Sequence, residues 1–144
     1  MKKPVFLLVM ITTVFMAHAQ STRGESLYII FPPNSTDLSE LSQEQTLENM
    51  QVLTRVSQLL LRNPQYRILV DGHANPIVRT DREEEETLRP LSLRRAEIAA
   101  DLLVQVFNVD RNRLILTGAG GGYPADRQNQ ALNRRVNFFI IAPR

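Results

Sequence analysis

Residues 66–72 read YRILVDG, an alternating run that stands between two stretches of helical period. In an extended chain Tyr66, Ile68 and Val70 fall on one side, and Arg67, Leu69 and Asp71 on the other. Upstream, Leu47, Met50, Leu53, Val56 and Leu60 recur at spacings of three and four and define one helical face. Ser42 with Gln45 is a capping-box pair that starts this helix, and Asn63-Pro64 ends it. Downstream, residues 91–107 (LSLRRAEIAADLLVQVF) place Ala96, Ala99, Leu103 and Val106 on one face, with Leu102 at its border and Ser92 as N-cap. Strands separated by helices need crossover connections, so part of the sheet must be parallel.

The other apolar runs complete the pattern. LYIIF (27–31), RNRLILTG (111–118) and VNFFII (136–141) read as strands, and residues 34–45 are polar and rich in capping residue types. His73 to Pro90 reads as a loop that carries the run Glu83–Glu86. Residues 119–135 read as a glycine-rich loop with room for one turn of helix. The expected fold is α+β: a two-layer sandwich in the order β-α-β-α-β-β. Its mixed sheet has about four strands, and two main helices pack on one face. There is no internal repeat and no interdomain linker, as suits 144 residues.

The N-terminus carries a different pattern. MKK is a positive start, PVFLLVMITTVFM is an apolar run, and Ala17 and Ala19 stand where a signal peptidase needs small residues. Residues 1–19 are therefore expected to be a cleaved export signal, too short to span a bilayer stably. Residues 20–26 are expected to be a flexible polar start, and 27–142 one domain. Lys2 and Lys3 are the only lysines, so cleavage turns a net charge of +2 into zero, with fifteen arginines against fifteen acids. A neutral mature chain gives no basis for nucleic-acid binding. With no cysteine, disulfides, thiolate catalysis and cysteine metal sites are excluded. The mature chain has no apolar run that would cross a membrane.

Four features invite a functional reading. Asp71, His73 and Asn75, in VDGHANP, place an acid, an imidazole and an amide at a strand end. Metal or acid–base chemistry is one reading; a histidine hydrogen-bonded within a turn is the other, and no HxH or HxxxH spacing supports the first. No GxSxG elbow is present for a serine nucleophile. GAGGGYP (118–124) has Tyr123 where a dinucleotide fingerprint requires glycine, so a tight turn with positive φ is expected there. Glu83–Glu86 reads as a solvated loop or, against the usual calcium-loop spacing, a cation site. Arg94 and Arg95 fall in the first turn of a helix begun at Ser92, where positive charge is unfavourable. Either an anionic ligand or a pairing with Glu83–Glu86 or Asp71 would relieve them. No catalytic residues, metal or cofactor are expected.

The segments GHANP, LSLRRAEIAADLL, NRLILTGAGGGYP and NRRVNFFI occur in that order. Together they resemble the OmpA-like C-terminal domain family over about Tyr28 to Ile141. The resemblance implies a periplasmic, cell-envelope module, outer-membrane associated, that binds peptidoglycan without catalysis. In the family an aspartate contacts the ammonium of the diaminopimelate in the stem peptide, and an arginine at the helix start contacts its carboxylate. Carried onto this chain, the arginine is Arg95 and the aspartate position is Asn75, which has no charge. Ala74, Leu91 and Ser92 would line the same site, and Arg134 or Arg135 would add positive charge. Asn133 would brace the loop, with Gly72 and His73 as structural residues of the corner. The family's asparagine before LS falls on Leu88, and the intervening loop is longer than usual. The resemblance therefore implies either peptidoglycan binding through a modified pocket or an envelope scaffold for other proteins that has lost the wall site.

Overall fold

The computed structural model describes residues 27–75, 82 and 84–143. The expected export signal and the polar segment 20–26 lie outside the described residues. Four strands form one sheet: β1 (Leu27–Ile30), β2 (Arg67–Gly72), β3 (Leu114–Gly118) and β4 (Arg135–Ile141). Their order across the sheet is β1-β4-β2-β3. β2 and β3 are parallel, while β4 runs antiparallel to both β1 and β2. The helices are α1 (Gln43–Arg62), α2 (Arg89–Gln105) and the single turn α3 (Gln130–Asn133). This is the expected α+β sandwich with a mixed sheet.

Alternation along each strand sorts the side chains into two faces. Ile29, Ile68, Val70, Val136 and Phe138 are fully or nearly buried beneath the helices. Their register partners Leu114 and Leu116 lie on the same face. Tyr28, Leu69, Asp71, Thr117, Asn137 and Phe139 project from the opposite face, which none of the described helices covers. The core joins the first face to Leu53, Val56 and Leu60 of α1 and to Ala96, Ala99, Ala100 and Leu103 of α2.

α1 begins as its capping box predicts: the Ser42 hydroxyl accepts from Gln45 N–H, and the Gln45 side chain accepts from Ser42 N–H. Its buried face is rotated from the expected one. Leu47 is 61 % exposed and Met50 36 %, while Asn49 is buried. Stepping back from Leu60 through Val56 and Leu53 by four, three and four residues lands on Asn49. Its amide clips onto β1, accepting from Ile30 N–H (3.0 Å) and donating to Ile30 C=O (2.9 Å). Met50 instead edges a shallow apolar recess of about 290 Å³ with Leu38, Leu41 and Leu102.

α2 departs further from expectation. It begins at Arg89, follows a π-helical turn at Glu84–Leu88, and has no side-chain N-cap. Pro90 accounts for the difference. It interrupts a helix interior, but it fits the first turn, where a missing N–H costs nothing. Ser92 is therefore inside the helix, not its cap, and Arg94 and Arg95 sit in the second turn. Part of the expected loop 73–90 is helical. At the other end α2 stops at Gln105, so Val106 is 57 % exposed and Ala100 takes the buried place.

α2 also lies very close to the sheet. Gly72 and Gly118 are register partners on adjacent strands, directly beneath its first two turns. A Cβ on Gly72 would overlap the Ser92 carbonyl, and one on Gly118 would lie 2.7 Å from Leu93 N. These two glycines set the height at which Ser92 and Arg95 are held.

Candidate functional site

The ends of β2, β3 and the start of β4 meet the N-terminal half of α2 at one corner. Main-chain bonds stitch it together: Ala119 N–H to Gly72 C=O (2.8 Å), Ala74 N–H to Gly120 C=O (2.8 Å) and His73 N–H to Arg135 C=O (2.8 Å). Gly120 has the expected positive φ, +64°. Ser92, fully buried, donates to Arg89 C=O (2.8 Å) and accepts from Gly120 N–H (2.9 Å), so the helix itself anchors the glycine loop.

Arg95 lies at the bottom of this corner and is 0 % exposed. Its guanidinium donates to three main-chain carbonyls: Pro32 (2.9 Å), Ser35 (3.1 and 3.3 Å) and His73 (3.1 Å). It also stacks over the Phe31 ring, 5.6 Å from the centroid. Among the described residues no carboxylate lies within ion-pair distance of it. Burial, and then the charge of Arg134, push its pKa down to about 10. It remains protonated at neutral pH, a buried cation held by carbonyl dipoles and the Phe31 ring. Arg94 points outward and pairs with Glu97 (2.9 Å), rather than with Asp71 or the glutamates described at 84–86.

The two arginines of NRRV part company. Arg134 is half-buried on the Arg95 side and donates to Phe31 C=O (3.2 Å). Arg135, next along β4, projects from the uncovered face and donates to Asn137 Oδ1 (3.1 Å) and Leu132 C=O (3.2 Å). Asn133 is buried and braces the loop: its amide donates to Asn75 Oδ1 (3.1 Å) and Asp126 C=O (2.7 Å), and accepts from Asp126 N–H (3.1 Å). Ala74 is buried, while Asn75 and Leu91 are half-buried at the rim. Ala74, Asn75, Ser92, Arg95, Arg134 and Asn133 thus form one connected corner, with Gly72 and His73 inside its frame and Arg135 behind it.

A family model described as the OmpA family matches residues 30–137. The chain belongs to the OmpA family. A comparison with curated protein sequences gives no match. Among solved structures it is similar to the peptidoglycan-associated lipoprotein of Burkholderia pseudomallei, at 19 % identity and TM-score 0.62, covering 79 % of this chain and 89 % of that one. An outer membrane protein of Borrelia burgdorferi gives 25 % identity and TM-score 0.55, covering 78 % and 83 %. The C-terminal domain of Helicobacter pylori MotB gives 20 % identity and TM-score 0.60, covering 83 % and 87 %.

In this OmpA-family chain the histidine of VDGHANP serves the uncovered sheet face. His73 Nε2 lies 3.0 Å from Asp71 Oδ2 and 3.3 Å from Asn137 Nδ2, and Thr117 Oγ1 donates to Asp71 Oδ1 (2.6 Å). Asn75 is turned away to Asn133, so the three residues do not converge. No hydroxyl nucleophile bonds to His73. Among the described residues, no group of three or more His, Cys, Asp or Glu could hold a metal, and no helix is long and apolar enough to cross a membrane.

Burial pushes the Asp71 carboxyl up. Hydrogen bonds from His73 and Thr117, helped by the charges of His73 and Arg135, outweigh it and leave the pKa below the usual 3.8. The folded carboxyl therefore titrates below its unfolded counterpart. Its contribution is fully present above the unfolded value and disappears as the pH falls through the folded one. Asp71→Asn is expected to flatten the loss of stability below about pH 4 while changing little of the slope above it. Urea midpoints measured between about pH 2 and 6 check this; parallel curves for the two proteins would contradict it.

Sequence reasoning missed two supports of the corner. Phe31, read only as the end of a strand, provides both the aromatic face under Arg95 and the carbonyl for Arg134. Glu84, read as part of a solvated acidic run, reaches the glycine loop and accepts from Gly121 N–H with both oxygens (2.9 and 3.1 Å). A Cβ on Gly120 would overlap that carboxylate. No local pattern announces either contact, because each joins segments far apart in the chain.

Proposed function

We propose that this chain is an exported, non-catalytic module of the periplasm that binds the peptide stems of peptidoglycan at the corner built by Asn75, Ser92, Arg95 and Arg134. The observation that carries this reading is Arg95: a fully buried guanidinium with no carboxylate beside it among the described residues, and with Arg134 as a second positive charge. A carboxylate at the rim would complete an electrostatically unbalanced site without entering the core. Asn75 offers an amide where the family pattern has a charge, and Asn133 holds that amide in place. Among the described residues, this corner contains no positioned nucleophile and base, which supports a binding role. Family membership and the likeness to a peptidoglycan-associated lipoprotein point the same way.

Sedimentation with purified cell-wall sacculi at physiological salt tests the reading. The mature chain is expected to pellet with the wall and to be released by excess free stem peptide. A chain that stays in the supernatant overturns it. A second reading, an envelope scaffold for other proteins, would then stand on the exposed run Phe139, Ile140 and Ile141 at the end of β4.

A further inference from the structure

The acidic run beside the corner does not act as a block. Glu85 pairs with Arg89 (3.1 Å) and Glu86 with Arg82 (3.1 Å), both at helical spacing on the outer surface. Glu84 faces the other way. Its carboxylate is half-buried against Gly120 and Gly121, held by one main-chain N–H, and among the described residues it has no cationic partner. Gly120 in turn accepts from Ala74 N–H (2.8 Å), so Glu84 and Asn75 border the same short loop.

The corner therefore has two poles. Among the described residues, Arg95 and Arg134 form a cationic side without a counter-ion, and Glu84 an anionic side without one. A ligand that satisfies both carries an ammonium and a carboxylate. We propose that Glu84 is the specificity-determining residue for the ammonium of a zwitterionic amino-acid end, supplying from the loop before α2 the charge that Asn75 lacks. The inference rests on the wall-binding reading and adds to it the residue that selects the amine. Its π-helical turn suits the task, since Glu84 reaches the glycine loop while Glu85 and Glu86 are paired outside.

Glu84 also pins the glycine loop, so the test must separate charge from structure. Glu84→Gln keeps an oxygen to accept from Gly121 N–H and removes only the charge. Two synthetic stem tetrapeptides serve as probes, one with the free ammonium of its diamino acid and one with that amine acetylated. Calorimetry on the mature chain is expected to show the free peptide bound about five-fold more weakly by Glu84→Gln than by wild type, and the acetylated peptide bound equally by both. Glu85→Gln is expected to match wild type with both. An unchanged affinity in Glu84→Gln, an equal loss for both peptides, or the same loss in Glu85→Gln overturns the role of Glu84 while leaving wall binding intact. A wild-type chain that binds neither peptide nor sacculi overturns the wall reading and this inference together.

Discussion

Arg95→Ala is expected to destabilise the domain by about 3–5 kcal/mol, the range of a large-to-small change in a core that also leaves buried acceptors unmet. The guanidinium joins Pro32 and Ser35, in the connection after β1, to His73 just past the end of β2. Truncation leaves three inward-facing carbonyls short of a donor, each costing about 1–3 kcal/mol where water cannot reach. It also removes the cation from the Phe31 ring and opens a cavity under α2. Thermal unfolding is expected to move down by about 10–20 °C. A shift of only a degree or two would show that these carbonyls find other partners and that Arg95 is not a keystone.

This size of effect bears on how the wall-binding reading is tested. Lost sedimentation in Arg95→Ala would not separate a missing ligand contact from a damaged corner. Glu84→Gln and free-peptide competition act at the rim, where the fold is less exposed to the change. On the proposed reading, the buried cation is what would draw an anion to this corner. Its donors are already oriented by fixed carbonyls, so a carboxylate arriving beside it would meet a positive potential that requires little reorganisation.

The strand and helix order was readable because the apolar period changes from two to about 3.6 and back along the chain. α1 was readable to the residue because its cap is local: Ser42 and Gln45 satisfy each other. The start of α2 was not, because its first turn has no side-chain cap and Pro90 looks like a boundary while occupying an allowed place inside it. The corner was legible in kind but not in detail. Arg95 and Asn75 stood out through the family pattern, and Asn133 as the brace of the loop. The carbonyls that hold Arg95 come from Pro32, Ser35 and His73, up to 63 residues away, and a main-chain acceptor leaves no trace in residue type. Alternation along β4 places Arg135 on the face of Asn137 and Phe139, but Arg134 caps the short helix before the strand, so its direction was not readable from the strand pattern.

Gly72→Ala is expected to cost about 3 kcal/mol or more, at or beyond the upper end for inserting a methyl group into a packed interior. The new Cβ would meet main-chain atoms: the Ser92 carbonyl oxygen in overlap, the Ser92 carbonyl carbon at 2.8 Å and Ala96 N at 3.3 Å. No rotamer change can relieve a clash between a strand and a helix backbone, so α2 must rise from the sheet. That movement lifts Ser92 from Gly120 and Arg95 from the three carbonyls, coupling the methyl group to the binding corner. Gly122 provides the internal standard, because a Cβ there would find its nearest neighbour, Ala119 O, at 4.0 Å. Gly122→Ala is expected to leave stability within about 0.5 kcal/mol of wild type. Urea midpoints for the two variants, with sedimentation on sacculi alongside, provide the comparison. If Gly72→Ala unfolds at the same midpoint as Gly122→Ala, the close approach of α2 to the sheet is not what holds Arg95 in place. If Gly72→Ala is folded at low temperature but no longer pellets with the wall, the height of the helix above the strands is itself a determinant of binding.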